Sequence, residues 1–96
     1  MKAITFKQAL KEELKDPEFS MYFEKEKVIN MIARTLVEMR QSRGISQIEL
    51  AKRAKTTQPV IARLEKGTDT RIPSLDLLNR IAHAMGQKIS IRFEKN

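Results

Sequence analysis

Between Gly44 and Gly67 the chain is punctuated so densely that only two short helices fit. Ser46 is a good N-cap, and Glu49 three residues later completes a capping box. The helix it opens runs to about Ala54 and turns Leu50, Ala51 and Ala54 inward. Lys55-Thr56-Thr57 then breaks the chain. Thr57 is placed to cap a second helix over Gln58–Lys66, Pro59 falls in its first turn where a missing N–H does no harm, and Gly67 ends it. Its inward residues are Ile61 and Leu64. Helices this short are not stable alone in water, so they must pack on each other and on the rest of the chain.

The flanking sequence supplies what they need. Phe6, Leu10 and Leu14 recur at i, i+4, i+8 on one short helix. Asp16-Pro17 punctuates it, with Asp as N-cap and Pro at the first helical position. A longer helix is expected from Pro17 or Glu24 to Arg43, with Ile29, Ile32, Ala33, Leu36 and Met39 as its core stripe and Gly44 as its stop. After a polar loop (68–73), Ser74 caps a last helix with Leu75, Leu78, Ile81, Ala82 and Met85 inward, ended by Gly86. The period then changes. Ile89, Ile91 and Phe93 alternate with Ser90 and Arg92, the pattern of a half-buried strand. A lone strand cannot satisfy its own backbone hydrogen bonds, so its expected partner is the same strand of a second copy or an edge strand of another protein.

Charge narrows the partners. The net charge is +7, but residues 1–27 carry six Lys against six acids, so the whole excess lies from Val28 onward. A concentrated basic surface attracts a polyanion by counterion release, nucleic acid above all. An anionic membrane would instead call for a basic amphipathic helix with an exposed apolar face. The absence of cysteine excludes disulfides and thiolate metal sites. No apolar run approaches the roughly 20 residues of a membrane span, and the first ten residues have no signal-peptide core. A soluble cytoplasmic protein is expected. Catalytic chemistry has little to work with: one His (His83), one Tyr (Tyr22) and no Gly-rich phosphate loop. The carboxylates of KEELKD and FEKEKV are interleaved with Lys and read as i,i+4 support on solvated helices. No enzyme, cofactor, metal or small-molecule substrate is expected.

Two short helices joined by a tight turn in a basic helical domain form a helix-turn-helix candidate. The stretches MRQSRGISQIELAKRAKTTQPVIARLEKG and SLDLLNRIAHAMG, from about Leu36 to Gly86, resemble the Xre/Cro-type family of phage repressors and bacterial regulators. Arg40, Gly44-Ile45-Ser46-Gln47, Leu50-Ala51, Thr57-Gln58, Ile61, Leu64-Glu65 and Gly67 carry the likeness. Burial of Ile61 and Leu64 leaves Gln58, Pro59, Ala62 and Arg63 towards the outside of the second helix. Gln suits adenine and Arg suits guanine as bidentate partners. Pro59 departs from the usual polar residue and offers only an apolar contact. By the resemblance, Gln47 contacts a phosphate at a helix N-terminus, and Arg40 with Glu65 forms an internal ion pair. Ser46 and Thr57 stand at the two helix starts, and Arg43, Lys55, Lys66 and Thr68 are further phosphate neighbours.

The segment ahead of this region differs in character. Four of the five aromatics (Phe6, Phe19, Tyr22, Phe23) lie in the first 23 residues. Large aromatics there either pack on the chain's own domain or serve another protein. The layout as a whole, with Asp16-Pro17-Glu18-Phe19 in the arm and a terminal strand, is similar to HigA-type antitoxins. That similarity implies dimerisation, repression of the chain's own operon, and neutralisation of a HigB-like toxin, a RelE-like mRNA endonuclease. It makes Phe6, Leu10, Leu14, Phe19, Tyr22 and Phe23 toxin-facing and Ile89, Ile91 and Phe93 dimer-forming, with Glu12, Glu13, Asp16 and Glu18 complementing a basic toxin. The alternatives are a stand-alone Xre regulator and a protein-interaction module that no longer binds DNA. The expected fold is mainly α: a repressor-like helix-turn-helix bundle (26–87) with an N-terminal helical arm (1–25) and one C-terminal β-strand (88–96).

Overall fold

The computed structural model describes residues 6–13, 15–68 and 71–95. Among these are five helices: α1 (Phe6–Glu13), α2 (Pro17–Ser42), α3 (Gln47–Arg53), α4 (Gln58–Lys66) and α5 (Leu75–Ala84). α2 starts where Asp16 accepts from the backbone N–H of Glu18 at 2.9 Å, with Pro17 in the first turn. Ser46 caps α3 by accepting from Glu49 N–H at 3.0 Å. The Glu49 carboxylate lies 3.6 Å from Arg53, one turn on. Ser74 caps α5 by accepting from Leu77 N–H at 3.1 Å. Thr57 holds the extended backbone of an N-cap, but its hydroxyl makes no capping bond. That end of α4 is carried by position and by Pro59, not by a side-chain cap.

α2 and α5 end in the same way. Gly44 and Gly86 adopt φ of 66° and 69°, and the next residues donate back to Arg40 and Ala82 carbonyls. These are Schellman closures with glycine at the left-handed position. α3 closes identically, through Thr56 N–H to Ala51 O at 2.9 Å and Lys55 N–H to Lys52 O at 3.3 Å, but its left-handed residue is Lys55 at φ 57°. A Cβ there costs about 1–2 kcal/mol. The offset comes from α5: Arg80 Nη1 donates to the carbonyls of Ala54 at 2.9 Å and Lys55 at 2.7 Å.

The core joins α2, α3, α4 and α5. Leu50, Ile61 and Ile81 are fully buried, surrounded by Leu36, Ile45, Ala51, Ala54, Leu64 and Met85. The α2 stripe is as expected, with Ile29, Ala33 and Leu36 buried and Ile32 and Met39 at the edge. α5 differs in phase. Leu75 is 60 % exposed, and Leu77 packs on the core in its place. Leu75 is the first helical residue after the cap, and Leu77 rather than Leu75 is one turn before Ile81 on the buried face.

One further expectation is corrected. No strand forms among the described residues, and 87–95 have neither helix nor ladder. The reason is the one that made a partner necessary: among the described residues nothing pairs with residues 89–93, and alternation without a ladder leaves Phe93 96 % exposed. At the other end, α2 starts at Pro17, the earlier of the two expected starts, and runs without a break to Ser42. Its first half, residues 17–28, contains no buried side chain. The molecule is correspondingly elongated, 56 Å by 26 Å by 21 Å.

Candidate nucleic-acid interface

α3 and α4 pack against each other, and α4 also lies against α2. Successive residues of α4 turn by about 100°. Burial of Ile61 and Leu64 with half-burial of Val60 fixes the inner face. Pro59, Ala62 and Lys66 therefore occupy the opposite face, with Gln58 and Arg63 on its two flanks. Pro59, Gln58 and Lys66 are exposed. Ala62 and Arg63 are half-buried. Arg63 lies beside Ile29, Ile32, Arg71 and Pro73 around a hollow of about 10 Å³, room for no more than one water.

α4 is fastened at its C-terminal end. Arg40 reaches from α2 to place Nε 2.7 Å from Glu65 Oε2 and Nη2 2.9 Å from Oε1, a bidentate pair. Its remaining Nη1 donates to the Ile45 carbonyl at 2.9 Å. The two side chains are 15 % and 6 % exposed. The Glu65 hydrogen bond raises the Arg40 pKa further, against the opposing effect of burial. Burial pushes the Glu65 carboxyl up, but bonds from Arg40 and Gln47 and the guanidinium charge outweigh it, so its pKa lies below the ordinary value. Glu65 is a carboxylate at neutral pH.

The same carboxylate holds a second chain of contacts. Gln47, the first residue of α3, donates from Nε2 to Glu65 Oε1 at 3.0 Å. Gln58, the first residue of α4, donates from Nε2 to Gln47 Oε1 at 2.9 Å. The family resemblance implies a phosphate contact for Gln47. Its amide also bridges the buried ion pair to Gln58, a link between residues 47, 58 and 65 that no local pattern announces. Arg80, another residue missed, is legible only as an i,i+4 partner of Asp76, at 3.1 Å.

The other expected contacts are distributed around this centre. Ser46 is exposed, its hydroxyl used in the cap. Arg43, Lys55, Thr57 and Thr68 are exposed at helix ends or turns. Arg43 Nη1 donates back to the Met39 carbonyl at 3.3 Å. In the arm, Phe19 and Phe23 stack at 6.4 Å and Lys27 Nζ lies 5.3 Å from the Phe23 ring centre. Tyr22 is 56 % exposed, and Leu10 is half-buried. Leu14 and the side chain of Phe6 lie outside the described residues. Among the described residues no group of acids and His is placed to hold a metal, and no helix is long and apolar enough to cross a membrane.

A family model described as helix-turn-helix matches residues 36–91, from the end of α2 past α5. The chain belongs to the helix-turn-helix family. It is similar to an uncharacterised HTH-type transcriptional regulator of Methanothermobacter thermautotrophicus, 46 % identical over 56 residues that cover 57 % of this chain and 78 % of the relative. A second such regulator, from Haemophilus influenzae, is 37 % identical over 60 residues, 62 % of this chain and 59 % of the relative. The match therefore spans less than two thirds of that second protein. No solved structure matches the chain. The helix-turn-helix unit covers α3 and α4 with their supports. Residues 1–35, the arm and the part of α2 that carries Ile29 and Ala33, lie outside the family match.

Proposed function

We propose that this helix-turn-helix protein binds double-stranded operator DNA and regulates transcription, with α4 in the major groove. The observation that carries the reading is α4 itself. The helix is fastened by Arg40–Glu65, and Gln58 at its start is exposed and oriented by Gln47. Gln58 and Arg63 are the base-reading residues, with Pro59 and Ala62 as apolar neighbours. Ser46, Gln47, Thr57, Arg43, Lys55, Lys66 and Thr68 are the phosphate-side group. Binding as a homodimer would set half-sites about 34 Å apart, and the exposed Ile91 and Phe93 beside Ile89 are the side chains a second copy would cover. Selection from a randomised duplex pool tests this: a two-fold symmetric site bound by the intact chain is expected, and binding with no sequence preference refutes it.

A finer reading is favoured by the arm. Met21, Tyr22, Val28 and Met31 are exposed along one half of α2, next to the stacked Phe19–Phe23 pair. Such a surface suits a protein partner. In the antitoxin reading that partner is a HigB-like mRNA endonuclease, held by Phe6, Leu10, Leu14, Phe19, Tyr22 and Phe23, and the chain represses its own operon. Copurification with a small basic protein encoded beside this gene is the expected result. Deleting residues 1–23 should abolish that capture and leave most DNA binding. A gene with no such neighbour favours the stand-alone regulator.

A further inference from the structure

We infer that Arg80 of α5 is a positioning residue for sequence choice, because it holds the left-handed backbone at Lys55 from which α4 sets out. The inference rests on the DNA-binding reading and extends it to a helix to which that reading assigns no DNA contact.

Lys55 carries a Cβ at φ 57°, a backbone that residues other than Gly, Asn and Asp rarely adopt. The closing bonds of α3, Thr56 N–H to Ala51 O and Lys55 N–H to Lys52 O, set the hand of this turn. The carbonyls on either side of the strained residue are met from α5, which packs against α3. Arg80 Nη1 donates to Ala54 O at 2.9 Å and to Lys55 O at 2.7 Å. One nitrogen reaches both only while the two carbonyls point the same way, as they do in a helical backbone of either hand. In an extended backbone successive carbonyls alternate. Arg80 thus excludes the extended alternative that would relieve the strain. Asp76, one turn back on α5, accepts from Arg80 Nε at 3.1 Å and holds the guanidinium in this direction.

Thr56 and Thr57 follow, and Gln58 opens α4. The Thr57 hydroxyl makes no capping bond. Besides the exposed Gln58–Gln47 bond, the Lys55 turn therefore directs the entry of α4, while Arg40–Glu65 fixes its far end. If Lys55 leaves the left-handed region, the start of the helix moves against an end that stays in place. Recognition of a base edge requires placement to within about 0.5 Å. Contacts to phosphates carry no sequence information. Arg80 accordingly acts on the choice between sequences.

The experiment uses the full chain and reads one quantity: the ratio of affinities for the selected duplex and for the duplex changed at the position that Gln58→Ala identifies. Loss of folded protein or of a phosphate contact weakens both duplexes alike and cancels, so a merely structural role leaves the ratio in place. Arg80→Met should lower the ratio about fivefold, the lower end of the left-handed penalty of a Cβ written as a population. In a Lys55→Gly background, where that backbone is free of strain, the same change should lower it by less than about twofold. If Arg80→Met is unfolded by circular dichroism, Arg80→Gln, too short to span both carbonyls, replaces it in both backgrounds. A wild-type ratio in the Arg80 variant, or an equal loss in the two backgrounds, overturns the inference. A wild type without any sequence preference overturns the DNA reading instead, and the wild-type ratio alone separates the two failures.

Discussion

Arg40 and Glu65 lie 25 positions apart and meet in two parallel bonds, Nε to Oε2 at 2.7 Å and Nη2 to Oε1 at 2.9 Å. Because Arg40 also donates to the Ile45 carbonyl, one guanidinium ties together the end of α2, the start of the α3 segment and the end of α4. Removing one partner leaves the other charge without its counter-ion in a largely buried place. Arg40→Ala should cost about 3 kcal/mol, read as a lower urea midpoint with an unchanged slope. The double change Arg40→Leu with Glu65→Leu should recover most of that loss, since apolar groups of similar volume need no desolvation.

Acid should act on the same pair with a predictable sign. The Glu65 pKa is lower in the folded chain than its ordinary value, so the unfolded state binds the proton more readily. The stabilisation is therefore complete above the unfolded carboxylate value of about 4.3 and is lost as pH falls through the lower, folded one. Stability measured by denaturation from pH 6 to pH 3 should fall more steeply in wild type than in the Arg40→Leu, Glu65→Leu protein. Equal slopes would mean that Glu65 contributes nothing to the pH dependence.

Which features the sequence discloses follows from how local their causes are. Caps and closures at Asp16, Ser46, Gly44 and Ser74 depend on a few neighbours and are readable directly. The inward faces of α2 and α4 are equally plain from Leu36 and Ile61. Thr57 and Leu75 mislead because each stands at the start of a helix, where a residue type suggests a cap or a core contact but only tertiary packing decides. The tail at residues 89–93 has a strand's pattern without a strand's partner. Gln47 and Arg80 are only partly legible, since their contacts with Glu65 and with the Ala54 and Lys55 carbonyls join residues 18 to 26 apart.

Gly67 and Gly44 make a matched comparison. Both have positive φ, 69° and 66°, so a side chain at either is strained. A Cβ at Gly67 would in addition lie 3.0 Å from Ala33 Cβ and 3.1 Å from Asn30 Oδ1, whereas none is met within 4 Å at Gly44. Gly44→Ala should cost about 1 kcal/mol, and Gly67→Ala about 2–3 kcal/mol. Each kcal/mol corresponds to roughly 4–8 °C in Tm for a domain of this size. Equal losses would show that α2 shifts to admit the methyl group.

The turn between α3 and α4 invites changes of opposite sign. Lys55 holds a left-handed backbone that glycine adopts freely, so Lys55→Gly should stabilise by about 0.5–1 kcal/mol. Arg80 supplies the charge-assisted bonds to both turn carbonyls, and Arg80→Ala should destabilise by about 2 kcal/mol. If the two are coupled through the turn, the loss on removing Arg80 should differ between the wild type and the Lys55→Gly protein. A double-mutant cycle in thermal denaturation measures that difference.

Lys66 and Arg63 should separate affinity from specificity on a single helix. Lys66 is exposed in the last turn of α4, at the opposite end of the helix from Gln58. Lys66→Ala should weaken binding to all duplexes alike and reduce the slope of log affinity against log salt by about 0.9, the loss of one phosphate. Arg63, on the flank of the outward face, should behave differently. Arg63→Ala should relax choice at one base pair by about 1–3 kcal/mol against the wrong base while binding to the remaining sites still depends on Gln58. Gel shifts on matched and single-mismatch duplexes at several salt concentrations provide both quantities. The assignment fails if Lys66→Ala alters the ratio between matched and mismatched sites, or if Arg63→Ala leaves every such ratio in place.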